Sequence, residues 1–355
     1  MNDIKIEKAV PRRDTAMDIL RIVAAVLVVI IHVSADKWYV TPVASPEWAA
    51  MNIYDSFARS AVPLFFMISG AFMLKKTVSI KKLYLGKILH LVVIYLVWSV
   101  LYAVDAFGIA GLRDVSLTDF ITRVVDGHYH LWFLPVLIGL YVLQPVLVAA
   151  VHFEDGKYTR YILACFLFFG ILLPTLSELF GNFPPITSLN GKRIAELSGY
   201  SGYMILGYYL YNQKRIKIKP LFSIALFFGT VAISALVSQL DALKSGAASD
   251  LLYGNFSLTV FLEAVLLFLL FQNLFSKEPS ERTAKFFGTL SSLTLGVYLV
   301  HPFILLRLEM LFGFTTLSFS PFLSIPVIVI TVTAASFLIT YLMTKIPIIK
   351  KFWKN

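Results

Sequence analysis

Residues 18–36 read DILRIVAAVLVVIIHVSAD. A helix needs about 20 mainly apolar residues to cross a hydrocarbon core of about 30 Å, and this run supplies them. Within it stand Asp18, Arg21 and His32. An ionisable group in such a helix costs about 2.5–3.5 kcal/mol even on the lenient insertion scale, so each marks a functional position by default. At about 100° per residue, Arg21 and His32 fall within about 20° of the same helical face, about 16 Å apart along the axis. One stripe therefore carries an arginine near one membrane surface and a histidine near the other. The structural alternative is that Arg21 snorkels to the headgroups while His32 caps the opposite end.

The rest of the chain extends this pattern. Of 355 residues 58% are hydrophobic and 15% charged, against about 25% charged in soluble domains; the mean hydropathy is +0.78. Ten apolar runs of spanning length lie at 17–35, 55–74, 83–104, 130–150, 159–176, 196–212, 220–240, 254–275, 286–307 and 321–343. The expected fold is all-α, a polytopic membrane bundle of about ten helices. One membrane-embedded domain occupies 17–345, between an N-terminal tail (1–16) and a basic C-terminal tail (346–355). The sixth run is short, with Gly199, Gly202 and Gly207 available for close helix packing.

Charge sets the orientation. With the N-terminus inside, 22 of the 31 Lys and Arg residues fall on inner segments and eight on outer ones, Arg21 being the remaining one. Positive residues accumulate on the cytoplasmic side, so both termini are expected there. The net charge of +10 arises from these short clusters and does not point to nucleic acid. The single cysteine, Cys165, excludes an intrachain disulfide, and no cluster has metal-ligand spacing. No small-residue cleavage site follows the first run, so it is expected to be retained. Walker A, GxSxG, HExxH and strand-linked GxGxxG motifs are all missing, which leaves soluble kinase, hydrolase and dehydrogenase readings without support.

The topology gathers further polar residues near the depth of His32. DSFARSAVPLFFMISGAFML (55–74) enters from outside with Arg59 about one turn in and Asp55 four residues earlier as an ion-pair partner. HYHLWFLP (128–135) brings His128, His130 and Trp132 to the outer surface, and SSLTLGVYLVHPF (291–303) carries His301 into the outer leaflet. His128 reads as an exposed loop residue, while His130 and His301 read equally as functional groups that bind a ligand or as interhelical hydrogen-bonding groups without chemistry. Trp38 and Trp132 suit either a ligand-binding surface or the interfacial aromatic belt. Toward the cytoplasm, Arg21, Lys82, Lys87 and His90 suit a phosphorylated ligand, although Lys82 also fits a plain positive-inside anchor. Glu263 stands mid-helix without a partner assignable from sequence, and His152, beside Glu154 and Asp155, reads as a solvated inner-loop residue.

Four segments, DILRIVAAVLVVIIH, RSAVPLFFMISGAFML, YHLWFLPVLIGLYVLQP and SLTLGVYLVHPF, resemble in sequence and order the acyltransferase 3 family of integral membrane O-acyltransferases. HVSADKWYVT through ARSAVPLFFMISG is most similar to its enterobacterial-common-antigen O-acetyltransferase branch. The resemblance implies acetyl-CoA, or a similar acyl-CoA, as a cytoplasmic cosubstrate with no tightly bound cofactor. It also implies a lipid-linked or exported glycan as acceptor and a bacterial inner membrane as location. The family's arginine-and-histidine motif falls on Arg21 and His32, and its arginine before VPLFF on Arg59. Its paired arginines near the third helix are not reproduced in KKLYLGKILHL (81–91). Lys87 takes that donor-binding place only weakly, because lysine lacks the bidentate fork of arginine.

Histidine suits removal of a hydroxyl proton near neutral pH, which makes His32 the candidate base, with acyl-histidine formation as the competing route. Arg59 suits an oxyanion or the acceptor. A secondary transporter would also bury charges, but the inverted repeat such folds carry is not visible. The orientation is testable in sealed cells: in a Cys165→Ala background, cysteines at positions 217 and 127 should react with an impermeant thiol reagent from opposite faces. Labelling of position 217 from outside contradicts the assignment.

Overall fold

The computed structural model describes residues 14–76, 79–181, 194–213, 216–275 and 279–347, all helix and connecting loop with no strand among them. The chain runs α1 (Thr15–Ser34), α2 (Pro46–Ala58), α3 (Ala61–Met73), α4 (Leu89–Gly111), α5 (Leu117–Asp126) and α6 (Phe133–His152). It continues through α7 (Lys157–Cys165), a π-helical turn, α8 (Leu173–Leu179), α9 (Ile194–Tyr208), α10 (Pro220–Ser245), α11 (Leu258–Leu274), α12 (Glu281–Phe312) and α13 (Pro321–Met343). The expected tails lie outside the described residues, apart from 14–16, which open α1, and 346–347.

Seven helical stretches among the described residues are long and apolar enough to cross a membrane. The difference from ten has local causes. Tyr129–Leu179 counts as one stretch of 51 residues, Leu258–Leu274 is short, and the run expected at 196–212 is held by α9, of 15 residues. Inside the long stretch Glu154, Asp155 and Gly156 have φ of 44°, 53° and 80°, where a helix cannot continue, and α7 packs back against α6. Large apolar side chains such as Leu221, Phe222, Leu236 and Leu240 cover the outside of α10. So extensive an apolar exterior fits lipid rather than water.

Two elements depart from the expected boundaries. The second run begins at Pro46 rather than near 55, with Ser45 capping α2 by accepting from the Trp48 N–H at 3.2 Å. It is interrupted at Arg59–Ser60, four residues before Pro63, because proline supplies no N–H to the Arg59 carbonyl. The sequence reading also lacked α5. Its sequence LTDFITRVVD alternates apolar and charged faces at helical spacing, and Leu117, Ile121 and Val125 are exposed, the pattern of a helix lying in the interface.

α1 is the hub, touching α2, α3, α11, α12 and α13. Asp14 caps it by accepting from the Met17 N–H at 3.0 Å. α3 and α9 make the tightest helix pair. A Cβ at Gly70 would stand 1.9 Å from the Met204 carbonyl oxygen, and one at Gly207 would stand 2.0 Å from that of Met67. Backbone therefore meets backbone in both directions, as small residues permit in membranes. Gly202 faces the Phe166 ring in the same way, whereas Gly199 packs on nothing and instead kinks α9 at φ 38°.

α3 ends inside the bundle, and a helix end leaves its last carbonyls without partners. Asn212, Gln144 and His152 donate to the carbonyls of Ala71, Met73 and Leu74 at 2.8, 2.7 and 2.9 Å. His152 is exposed, as its reading as a solvated residue expected, but it closes α6 rather than lying in a loop, and it also holds the end of α3.

Gly70→Ala should lower the stability of the detergent-solubilised protein by about 1–3 kcal/mol, the usual cost of overpacking. Gly229→Ala, where a Cβ meets nothing within 4 Å, should leave it unchanged or raise it. Thermal unfolding of the two variants side by side decides this, and equal midpoints would contradict the close contact.

Candidate active site

One cavity of about 420 Å³ runs through the bundle beside α1, with Arg21, His32, Arg59, His130 and Trp132 all on its wall. The stripe on α1 faces it because residues 21, 28 and 32 share one side of the helix. α3, α4, α6, α12 and the loop before α11 supply most of the remaining lining, with Val62, Phe65, Leu91, Leu137 and Leu295 making much of the surface apolar.

At one end, the Arg21 guanidinium donates to Ser291 Oγ on α12 at 2.9 Å and to Asp18 Oδ1 at 3.3 Å. Tyr141 lines the cavity nearby, and the Lys87 ammonium sits 5.5 Å from its ring. Lys87 therefore reaches the cavity only across Tyr141. Lys82 is exposed.

At the other end, Arg59 occupies the interruption between α2 and α3. Its Nε donates to Asp55 Oδ2 at 2.7 Å, its Nη2 donates to the same oxygen, and its guanidinium carbon lies 4.7 Å from the centre of the Tyr253 ring. Asp55 is fully buried and also accepts from Ser34 Oγ at the end of α1, at 3.2 Å. Tyr253 bonds Asn52 and Ser56 one turn back on α2. The arginine is thus held on one side by a carboxylate and on another by an aromatic face.

The histidines converge. His32 lies 5.0 Å from His301 and 5.2 Å from Tyr129, ring centre to ring centre. His301 lies 5.6 Å from His130, and His130 Nδ1 is hydrogen-bonded to His128 Nδ1 at 2.8 Å. His128 is accordingly half-buried rather than an exposed loop residue, with Tyr102 stacked on it at 4.2 Å. Its pKa is held down to about 4 by burial, with Arg123 nearby adding to the effect; it is neutral at pH 7. Tyr298 donates to the His130 carbonyl, and Tyr102 donates to the Leu299 carbonyl at 2.8 Å.

The expected site residues separate into two groups. Arg21, His32, Arg59, His130 and Trp132 share the cavity. His301 lies behind His32, fully buried and off the lining. Trp38 is elsewhere, packed on Trp48 at 4.6 Å in a separate apolar cluster, with the Trp48 indole donating to its carbonyl at 3.2 Å. Glu263 is fully buried on α11. The sequence reading passed over Ser291, Thr294 and Tyr298, which with His301 form a polar stripe spaced 3, 4 and 3 residues apart on α12. That spacing was available as a signal. Tyr253 and Asn255 lie in a loop and gave none.

The Asp55–Arg59 pair makes a quantitative case. Removing one partner of a buried pair strands the other, at a cost of about 3–5 kcal/mol. Asp55→Ala should therefore be strongly destabilising, while Asp55→Leu combined with Arg59→Met should cost less than either single change. Unfolding midpoints of the three variants test this, and additive losses would show the two side chains to be independent.

The comparisons with known proteins agree with this picture at the level of the family. No curated protein and no solved structure matched the chain. A family model described as an acyltransferase domain, acyltransferase 3, matches residues 14–341, which include every residue of the cavity wall. The all-helical fold with its membrane-spanning helices and this match over most of its length make the chain a multi-pass membrane protein of the acyltransferase 3 family.

Proposed function

We propose that the protein transfers an acetyl or similar acyl group from cytoplasmic acyl-CoA to a hydroxyl of an envelope or exported carbohydrate. The observation that carries this reading is that Arg21, His32 and Arg59, from both halves of the bundle, open on one cavity. In this reading the ten apolar segments each cross the membrane, Tyr129–Leu179 crossing twice, and both termini are cytoplasmic. The enterobacterial-common-antigen likeness of residues 32–70 favours a bacterial inner membrane and a lipid-linked glycan acceptor.

Arg21 lies toward the cytoplasm and holds the phosphates of the donor, with Lys87 beside Tyr141 as a second positive charge. The flexible acyl arm extends along the apolar wall toward His32. A neutral His32 takes the proton of the acceptor hydroxyl as its oxygen attacks the thioester carbonyl. The tetrahedral oxyanion is stabilised by Arg59, whose Nε and Nη2 are committed to Asp55, leaving Nη1 for the reacting group. Collapse breaks the carbon–sulfur bond, and the thiolate of CoA takes the proton from His32, so the products are the ester and CoA thiol with no net proton change. His130 and Trp132, at the outer end, contact the sugar.

Purified protein in membranes, given radiolabelled acetyl-CoA and envelope lipid extract, should label a glycan lipid. His32→Ala should lower the rate by about 10²–10⁴-fold, the contribution typical of a general base, with the protein still folded. Arg21→Ala should weaken acetyl-CoA binding, whereas Arg59→Ala and His130→Ala should leave binding intact and reduce transfer. Near-wild-type transfer by His32→Ala removes the mechanism, and loss of donor binding in Arg59→Ala equal to that in Arg21→Ala removes the division between the two ends.

A further inference from the structure

His301 is fully buried in α12 and does not reach the cavity. Its Nδ1 donates to the Val297 carbonyl at 3.1 Å, one turn back. A neutral imidazole carries one N–H, so this bond leaves Nε2 with a lone pair and no hydrogen. That Nε2 has no hydrogen-bond partner among the described residues. A buried acceptor left unsatisfied costs about 1–3 kcal/mol, which gives the ring a reason to find a donor. Two imidazoles lie within reach. His130 meets it at a ring angle of 80°, with centres 5.6 Å apart, so one ring presents its edge to the other's face. His32 lies closer, at 5.0 Å, with planes only 31° apart, and a nitrogen lone pair accepts best near the plane of its own ring.

We infer that His301 is a positioning residue for His32, accepting its N–H and so turning the other His32 nitrogen, unprotonated, toward the cavity. The catalytic consequence rests on the acyl-transfer reading; the His32–His301 bond is inferred from the separation and angle of the two rings and from the unpartnered Nε2. Which nitrogen of a histidine carries the proton is set by the bond its partner nitrogen makes. A base must present a lone pair to the hydroxyl, so the wrong tautomer is inactive even in the right place. When His32 gains the hydroxyl proton both its nitrogens become donors, and His301 Nε2 still accepts one of them. Val297 fixes His301, His301 fixes His32, and the proton stays on His32 until the departing thiolate takes it.

The two amides separate this role from simple packing. Glutamine places its amide group at the position of Nε2, whereas asparagine places its group at the position of Nδ1, the atom bound to Val297. His301→Gln should keep roughly a tenth or more of wild-type kcat. His301→Asn should lose about 10²–10⁴-fold, as when a catalytic histidine is left in the wrong tautomer. KM for acetyl-CoA should be unchanged in both. In a His32→Ala background, His301→Asn should cause no additional loss. Asparagine rescuing as well as glutamine, wild-type rates in both, or equal inactivation of both would overturn the assignment. Independently of any folding defect in the variants, the nitrogen spectrum of ¹⁵N-histidine-labelled wild-type protein in lipid should show His301 Nε2 without a proton and hydrogen-bonded. A protonated Nε2 overturns the assignment as well. Absence of acetyl transfer by the wild-type protein would instead sink the acyl-transfer reading and leave the spectrum to judge the contact.

Discussion

An ionised side chain surrounded by hydrocarbon has neither water nor counter-ion, and this constraint organises the bundle. Asp55, Arg59 and Arg21 are each paired, and both arginines also open on the central cavity. Asp55 is the clearest case. It is fully buried, and it holds Arg59 on its own helix while accepting from Ser34 at the end of α1. A single carboxylate thereby ties together the C-terminal end of the hub helix, the direction of the arginine and the interruption between α2 and α3. Arg21 is treated the same way at the other end, tied to Asp18 and across to Ser291. Beyond the C-terminal end of α1, Lys37 donates to Glu309 at 2.6 Å and Arg307 pairs with Asp105, which joins α12 to the loop after α1 and to α4.

Backbone chemistry follows the same rule. In lipid every carbonyl needs a donor from within the protein. Pro63 frees a carbonyl at Arg59, where the bundle places its cavity, and Pro302 withholds an N–H beside His301. The broken end of α3 is served by Asn212, Gln144 and His152 from other elements. Glycine allows this economy. Gly70 and Gly207 let α3 and α9 approach until backbone touches backbone, and side chains elsewhere on these helices are left to form the cavity wall. Tight packing on one side of α3 and an open space on the other are two results of one helix placement.

Within that frame the cavity has distinct ends. An arginine bound to a hydroxyl and a carboxylate lies at one, an arginine clamped by a carboxylate and an aromatic ring at the other, and His32 on the wall between the flanking helices. Behind it lie buried imidazoles and tyrosines whose hydrogen bonds run to backbone carbonyls, so their rings are fixed by the helices themselves. Such a shell restricts the rotamers of the side chains packed within it.

The sequence by itself determined that the chain lives in a membrane, which apolar segments form its long helices, and that Arg21 and His32 share a face. Those are properties of local composition and of a fixed 3.6-residue period, and they need no neighbours. It also indicated the Asp55–Arg59 pair, because four residues is one helical turn. Tertiary structure decided the rest. Trp38 and His301 have an expected depth from the sequence, yet depth does not say which way a side chain turns, and Trp38 packs on Trp48 while His301 stands behind His32. Tyr253 reaches Arg59 from a loop with no periodicity to betray it. The tight α3–α9 pair required Gly70 and Gly207, far apart in the chain, to meet. Angular position on a helix is set by the residue itself, whereas the partner it meets is set by how whole helices dock, and that is decided by packing across the bundle.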